Sequence, residues 1–204
     1  PVLGQYDLAS LAAAAHLIRE LDPNHPIYIN HAPRNTIEEL ARYNRYTDIA
    51  GSDIYPIWKT GVDRHSNLPN KTLSVVGDET IKNLQAVDFK KPIFEVLQAF
   101  SWSDPPAPAG LTDEPFPTHQ QLRFMGYDTI VCGATGISYY QDSRYDVIRP
   151  ELKPIVREFA ALQDALAGGK LLDTTKVSST PNVKVLARQW NGHTVLLAVN
   201  DTNE

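Results

Sequence analysis

Four short runs of β-branched and aromatic residues each end in side chains that can bind or transform a polar ligand. Asn30 and His31 follow residues 26–29, and Asp53 and Tyr55 close residues 48–54. Gln98 closes residues 92–98, and Tyr140 closes residues 136–140. On an extended strand, positions two apart share a face, so the Asp53 carboxylate and the Tyr55 phenol point the same way. Such a pair suits acid/base chemistry or the binding of a hydroxyl. The Gln98 amide both donates and accepts, which also suits hydroxyl groups. Trp102, just past the third run, offers an indole for ring stacking or for covering a strand edge, and Trp58 past the second run offers the same choice. Glu95 is a second carboxylate, but parity places it opposite Gln98, toward a helix layer. Asn30 and His31 alternate, so one faces the ligand side and the other holds a loop; the same holds for Tyr139 and Tyr140, where Tyr140 is preferred.

These residues need a frame that brings strand ends together. Residues 8–21 have the apolar spacing of a helix with Leu8, Leu11, Ala15, Ile18 and Leu21 on a buried face, capped by Asp7 and stopped at Asp22-Pro23. Asn35 with Glu38 predicts a capped helix to about residue 46, and a third helix is expected over residues 78–87. Thr118 with Gln121 forms a capping box that opens a fourth, and Pro150 suits the first position of a fifth, ended by Gly168-Gly169. Strand-then-helix alternation of this kind predicts parallel strands with crossover helices. No Gly-rich phosphate turn follows any strand, and the polar residues mark strand C-terminal ends, which together favour a barrel over a nucleotide-binding open sheet. After Gly169 the pattern changes: residues 183–190 and 194–200 read as strands joined at Asn191-Gly192, a strong hairpin signal.

The 204 residues carry 19 basic and 24 acidic side chains, a formal net charge of -5, without a basic cluster. That excludes nucleic acid or an anionic membrane surface as the main partner. No apolar run approaches the roughly 20 residues of a spanning helix. The opening residues lack the pattern of a signal peptide, and localisation stays open, with a secreted or periplasmic site requiring a leader further upstream. The single cysteine, Cys132, forms no internal disulfide and reads as an inert thiol.

Four segments, DPNHPIYIN at 22–30, DIAGSDIYP at 48–56, KPIFEVLQAF at 91–100 and GATGISYY at 133–140, resemble strands five to eight of bacterial TIM-barrel glycoside hydrolases. The similarity is to β-galactosidase-like enzymes of the large retaining superfamily, and it covers about 150 residues. It implies an α/β fold: the C-terminal half of a (β/α)8 barrel over residues 1–169, then the opening hairpin of a β-sandwich over residues 170–204. A full barrel needs roughly 250 residues. In that superfamily the acid/base Glu ends strand four, which would precede Pro1, and the nucleophile Glu ends strand seven. The position matching the nucleophile is Gln98, an amide that cannot attack an anomeric carbon.

The resemblance therefore implies a carbohydrate-active enzyme cleaving O-glycosidic bonds by carboxylate chemistry, its substrate an oligosaccharide or glycoside. Asp53, with Glu95 as the weaker choice, would be catalytic; Asn30, His31, Tyr55, Gln98, Trp102 and Tyr140 would bind substrate. A non-catalytic sugar-binding barrel is the alternative. A metal-dependent hydrolase barrel is another, suggested by His31, but it wants a second His where this chain has Asp53, so neither metal nor cofactor is expected. Asp113-Glu114-Pro115 imitates the acid/base triplet within a Pro-rich loop and reads as loop composition. The long connections 55–72 and 99–117 follow strand C-termini and are expected to form a binding lid. A half-barrel would also leave sheet edges open and favour oligomers of the isolated chain.

Overall fold

The computed structural model describes residues 7–58, 68–103, 113–141, 145–174, 180 and 182–202. It is a mixed α/β structure with a four-stranded parallel sheet and a three-stranded antiparallel sheet. The order is α1 (Leu8–Leu21), β1 (Tyr28–His31), α2 (Ile37–Tyr43) with a 3-10 turn at Asn44–Tyr46, β2 (Ile49–Ile54), α3 (Val75–Ala86), β3 (Phe94–Gln98), α4 (His119–Val131), β4 (Gly136–Tyr140) and α5 (Tyr145–Gly168). The chain then forms β5 (Lys170–Leu171), β6 (Val183–Trp190) and β7 (His193–Asn200). Much of the two long connections, residues 59–67 and 104–112, lies outside the described residues, and with it the lid expected there.

The parallel strands lie in the order β1-β2-β3-β4, so each new strand adds beside the last. The register sets Asn30 beside Gly51, Val96 between Asp53 and Ser138, and Gln98 beside Tyr140. Helices cover one face. There Ile54, Leu97, Val76, Leu122, Met125 and Ile155 form the main core, each at most 1% exposed. The opposite face carries Tyr28, Asn30, Asp53, Phe94, Val96 and Tyr140, and among the described residues no helix covers it; Phe94 is 38% and Tyr140 49% exposed. Close approach on this face requires glycine at two positions. A Cβ on Gly51 would overlap the Phe94 carbonyl, and one on Gly136 would overlap the Phe94 ring.

Several local expectations shift for physical reasons. The second helix is capped by Thr36 with Glu39, one residue beyond the predicted pair, because Asn35 turns its amide onto the Ala32 carbonyl. The third helix starts at Val75, since Asn70, Thr72 and Ser74 build a hydrogen-bonded turn that leads into it. The fifth starts at Tyr145 and runs through Pro150 and Pro154. Burial of Ile148 and Ile155 outweighs the missing backbone bonds. The apolar stripe of α1 is only partly covered: Ala15 is buried and Leu8 and Leu11 pack on Leu40 and Tyr43, but Leu17, Ile18 and Leu21 are 53%, 45% and 77% exposed. At the hairpin, Asn191 and Gly192 both have positive φ, 48° and 79°, as a two-residue turn of this kind demands.

No helix among the described residues is long and apolar enough to cross a membrane. The antiparallel sheet is seated on the helix layer by Lys184 of β6. Its ammonium lies 3.0 Å from Asp128 of α4 and 3.2 Å from Asp201, and Asp128 also accepts from the Gly77 amide at 3.1 Å. Asp128 is fully buried, so removal of its cation leaves a sealed carboxylate. Lys184→Met is expected to cost roughly 3 kcal/mol of stability, measured by denaturant unfolding. Asp201→Asn, which leaves that pair intact, should cost much less.

Candidate functional site

Because the strands are parallel, their C-terminal ends lie along one rim. Asp53 stands there on the uncovered face, with Tyr55 one strand step beyond it. Burial first, then the Asp53 charge, raises the Tyr55 phenol well above its ordinary range, so it remains a neutral hydroxyl. Tyr28 is held neutral in the same way by burial and by the Glu95 and Asp53 charges. Its single hydroxyl proton is shared between the Asn30 side-chain carbonyl at 3.2 Å and the Phe94 carbonyl at 3.1 Å. Asn30 is thus oriented on the same face as Asp53.

An aromatic cluster surrounds this rim. Tyr55 lies 5.0 Å from Phe100, 6.0 Å from Trp102 and 5.8 Å from Tyr140, measured between ring centroids. Phe100 meets Trp102 edge-on at 4.9 Å. Trp58 lies flat on Trp102, with centroids 4.4 Å apart and planes 15° apart. Phe100 is buried beneath the cluster, whereas Trp58 and Trp102 are half-buried and Tyr140 is exposed. The rim thus combines a carboxylate, neutral hydroxyls and flat apolar rings.

Three of the sequence candidates stand elsewhere. His31 is fully buried and turned from the open face; its Nε2 lies 2.9 Å from Asn44 Oδ1 in the 3-10 turn. Burial lowers its pKa, so the ring is neutral. Of the pair, Asn30 lies on the uncovered face, level with Gly51, and His31 holds the neighbouring turn. Among the described residues, no three His, Cys, Asp or Glu side chains converge as metal ligands.

Glu95 is fully buried on the helix side, opposite the face that bears Asp53. It accepts from the Ser52 amide at 2.7 Å and the Asn83 side chain at 2.9 Å. The structure therefore does not bring Asp53 and Glu95 together as a pair.

Gln98 is also fully buried, and its amide is engaged by backbone. Its Oε1 accepts from the Ile57 N–H at 2.8 Å, and its Nε2 donates to the Ile57 carbonyl at 3.2 Å and the Phe100 carbonyl at 3.1 Å. It touches no open surface on which a ligand could reach it. Glu114, of the triplet resembling an acid/base motif, is tied to the same rim through backbone: Ser101 Oγ donates to its carbonyl and its N–H donates to Ser103 Oγ. Sequence reasoning missed Phe100 and Ile57. The alternation of Phe100 and Trp102 was the available signal for the first, and nothing local marks the second. Cys132 is half-buried, and burial together with Asp128 pushes its thiol up to about 12, which keeps it protonated and unreactive.

A separate cleft of about 570 Å³ opens between the β1 and β2 connections and α3, lined by Pro33, Arg34, Leu68, Asp78, Glu79 and Lys82. Its charges are largely used internally: Glu79 and Lys82 are 2.6 Å apart, and Lys82 also donates to the Pro33 carbonyl. Comparison of the sequence with protein-family models and with curated proteins finds no match.

Burial raises the Glu95 carboxyl from 4.5 to about 8, outweighing the bonds from Ser52 and Asn83 that favour its anion. Between those values the folded protein holds a proton that the unfolded chain releases. Rising pH in that window must therefore cost stability. Melting temperatures of wild type and Glu95→Gln across this range should diverge, with wild type losing ground steadily toward pH 8. A constant gap would place the Glu95 pKa near its ordinary value.

Proposed function

We propose that the chain is part of a carbohydrate-active (β/α)8 barrel, a glycoside hydrolase that cleaves O-glycosidic bonds by carboxylate chemistry. The observation that carries this reading is the rim itself, where Asp53 meets the Tyr55 phenol and Tyr55 in turn meets Trp102 and Tyr140, with Trp58 stacked on Trp102. A sugar presents apolar C–H faces and a girdle of hydroxyls, and it needs flat rings and hydrogen-bonding groups side by side. Asp53 is the described carboxylate on the open face whose position fits a role in the reaction; Tyr55 orients it.

The barrel is supported by what the parallel sheet leaves uncovered. Its inner face exposes Phe94 and Tyr140, and α1 exposes Leu17, Ile18 and Leu21. Further strands pairing with β1 and β4 would cover the first, and their helices the second. In this proposal those strands also supply the acid/base carboxylate, and the substrate is an oligosaccharide or glycoside. An isolated half would associate through its open edges.

A second reading, a non-catalytic sugar-binding barrel, is favoured by one feature: the superfamily's nucleophile position is Gln98, whose amide is committed to backbone. Reducing-sugar release from a panel of glycosides by the full natural protein separates the two. Hydrolysis that falls by well over about tenfold in Asp53→Asn supports the enzyme. Saturable binding without turnover supports the second reading, and neither binding nor turnover on any glycoside refutes both.

A further inference from the structure

The commitment of Gln98 to backbone has a consequence for the aromatic rim. Its amide meets the Ile57 backbone at two points, accepting from the N–H and donating to the carbonyl on the side of Trp58. Ile57 immediately precedes Trp58, so this two-point bond fixes the direction in which the chain leaves β2. The same amide donates to the Phe100 carbonyl, two residues before Trp102. One side chain therefore tethers both segments whose indoles stack at 4.4 Å. Ile57 and Phe100 are themselves buried, at 4% and 7% exposure, so each tether is anchored at its base.

We propose that Gln98 is a positioning residue: its amide holds the Ile57 peptide so that Trp58 lies flat on Trp102, and this indole pair is the stacking platform for a pyranose ring of the carbohydrate. The second clause rests on the carbohydrate reading above; the first does not. An amide is the only side chain of this length that supplies an acceptor and two donors at once. A glutamate here would keep the acceptor but turn a negative oxygen onto the Ile57 and Phe100 carbonyls. A platform locked before ligand arrives loses little freedom on binding, which favours affinity. Both indoles are half-buried, so each is supported from below and keeps ring surface for a ligand.

The test uses the full natural protein. Two stacked indoles couple their electronic transitions, and the near-ultraviolet circular dichroism of wild type minus Trp58→Phe isolates that signal. In Gln98→Glu the signal is expected to vanish while far-ultraviolet dichroism and cooperative melting persist. Gln98→Met, of similar shape but without donor or acceptor, should behave alike, and it answers the question if Gln98→Glu does not fold. Calorimetric titration with β-1,4-linked hexaoses of glucose, xylose, mannose and galactose then tests the platform. Wild type should bind at least one, and Trp58→Ala and Gln98→Met should each weaken it by roughly tenfold or more. An indole signal that survives both Gln98 variants overturns the positioning role. A lost signal with unchanged affinity overturns the platform. Failure of wild type to bind any hexaose, with the signal behaving as expected, removes the carbohydrate from the platform and from the proposed function but leaves the Gln98–Trp58 linkage established.

Discussion

Parallel pairing governs this structure more than any single contact. Each strand must return by a crossover, and short crossovers pack their helices on one face while sending every strand C-terminus to one rim. In this chain the register then brings residues from separate strands into shared layers, so that Asp53 neighbours Val96 and Gln98 neighbours Tyr140. The same pairing decides which polar groups are sealed. Glu95, one residue from Val96, turns under α3 and becomes a buried acid, while Asp53 keeps access to the rim. Parity thus separates Glu95 from Asp53, while Gln98, on the same face as Asp53, is sealed at the strand end by the Ile57 and Phe100 backbone.

The rim is held by interactions that differ in kind from those of the core. The core is apolar contact among Ile54, Leu97, Leu122, Met125 and Ile155. At the rim, polar side chains grip backbone: Gln98 grips Ile57 and Phe100, and Ser101 and Ser103 grip Glu114. Such bonds are individually modest in net energy, but a buried amide that loses its partners costs more than the bond was worth. They specify conformation, and flat rings gain from that because stacking depends on orientation as much as on area.

The sequence revealed what is locally encoded. The α4 capping box, the strands at 49–54 and 136–140, the Asn191-Gly192 turn and the parity of Glu95 each follow from residues within a few positions of one another. The α2 cap lies one residue from the expected one, where the neighbouring residue offers an equivalent local signal, whereas α5 starts five residues before Pro150 because burial of Ile148 outweighs the proline's local preference. Periodicity marked the stripe on α1 without showing how little of it would be covered. The site was legible as a set of strand ends. Its internal arrangement was not, since the bond from Gln98 to Ile57 spans 41 residues and no local pattern carries it. His31 shows the same limit: alternation separates it from Asn30 without saying which of the two lies on the uncovered face.

Lys184 gives the antiparallel sheet a standing that its late position in the chain conceals. Its ammonium leaves β6 to neutralise a carboxylate inside the helix layer, and Leu197 and Val199 of β7 are buried as well. The hairpin is consequently no interchangeable cassette. An unrelated module in its place would leave the sealed Asp128 carboxylate with the Gly77 amide but without its cation. A replacement joined at Gly168–Gly169 would match this helix layer only if it carried a positive charge to the same place.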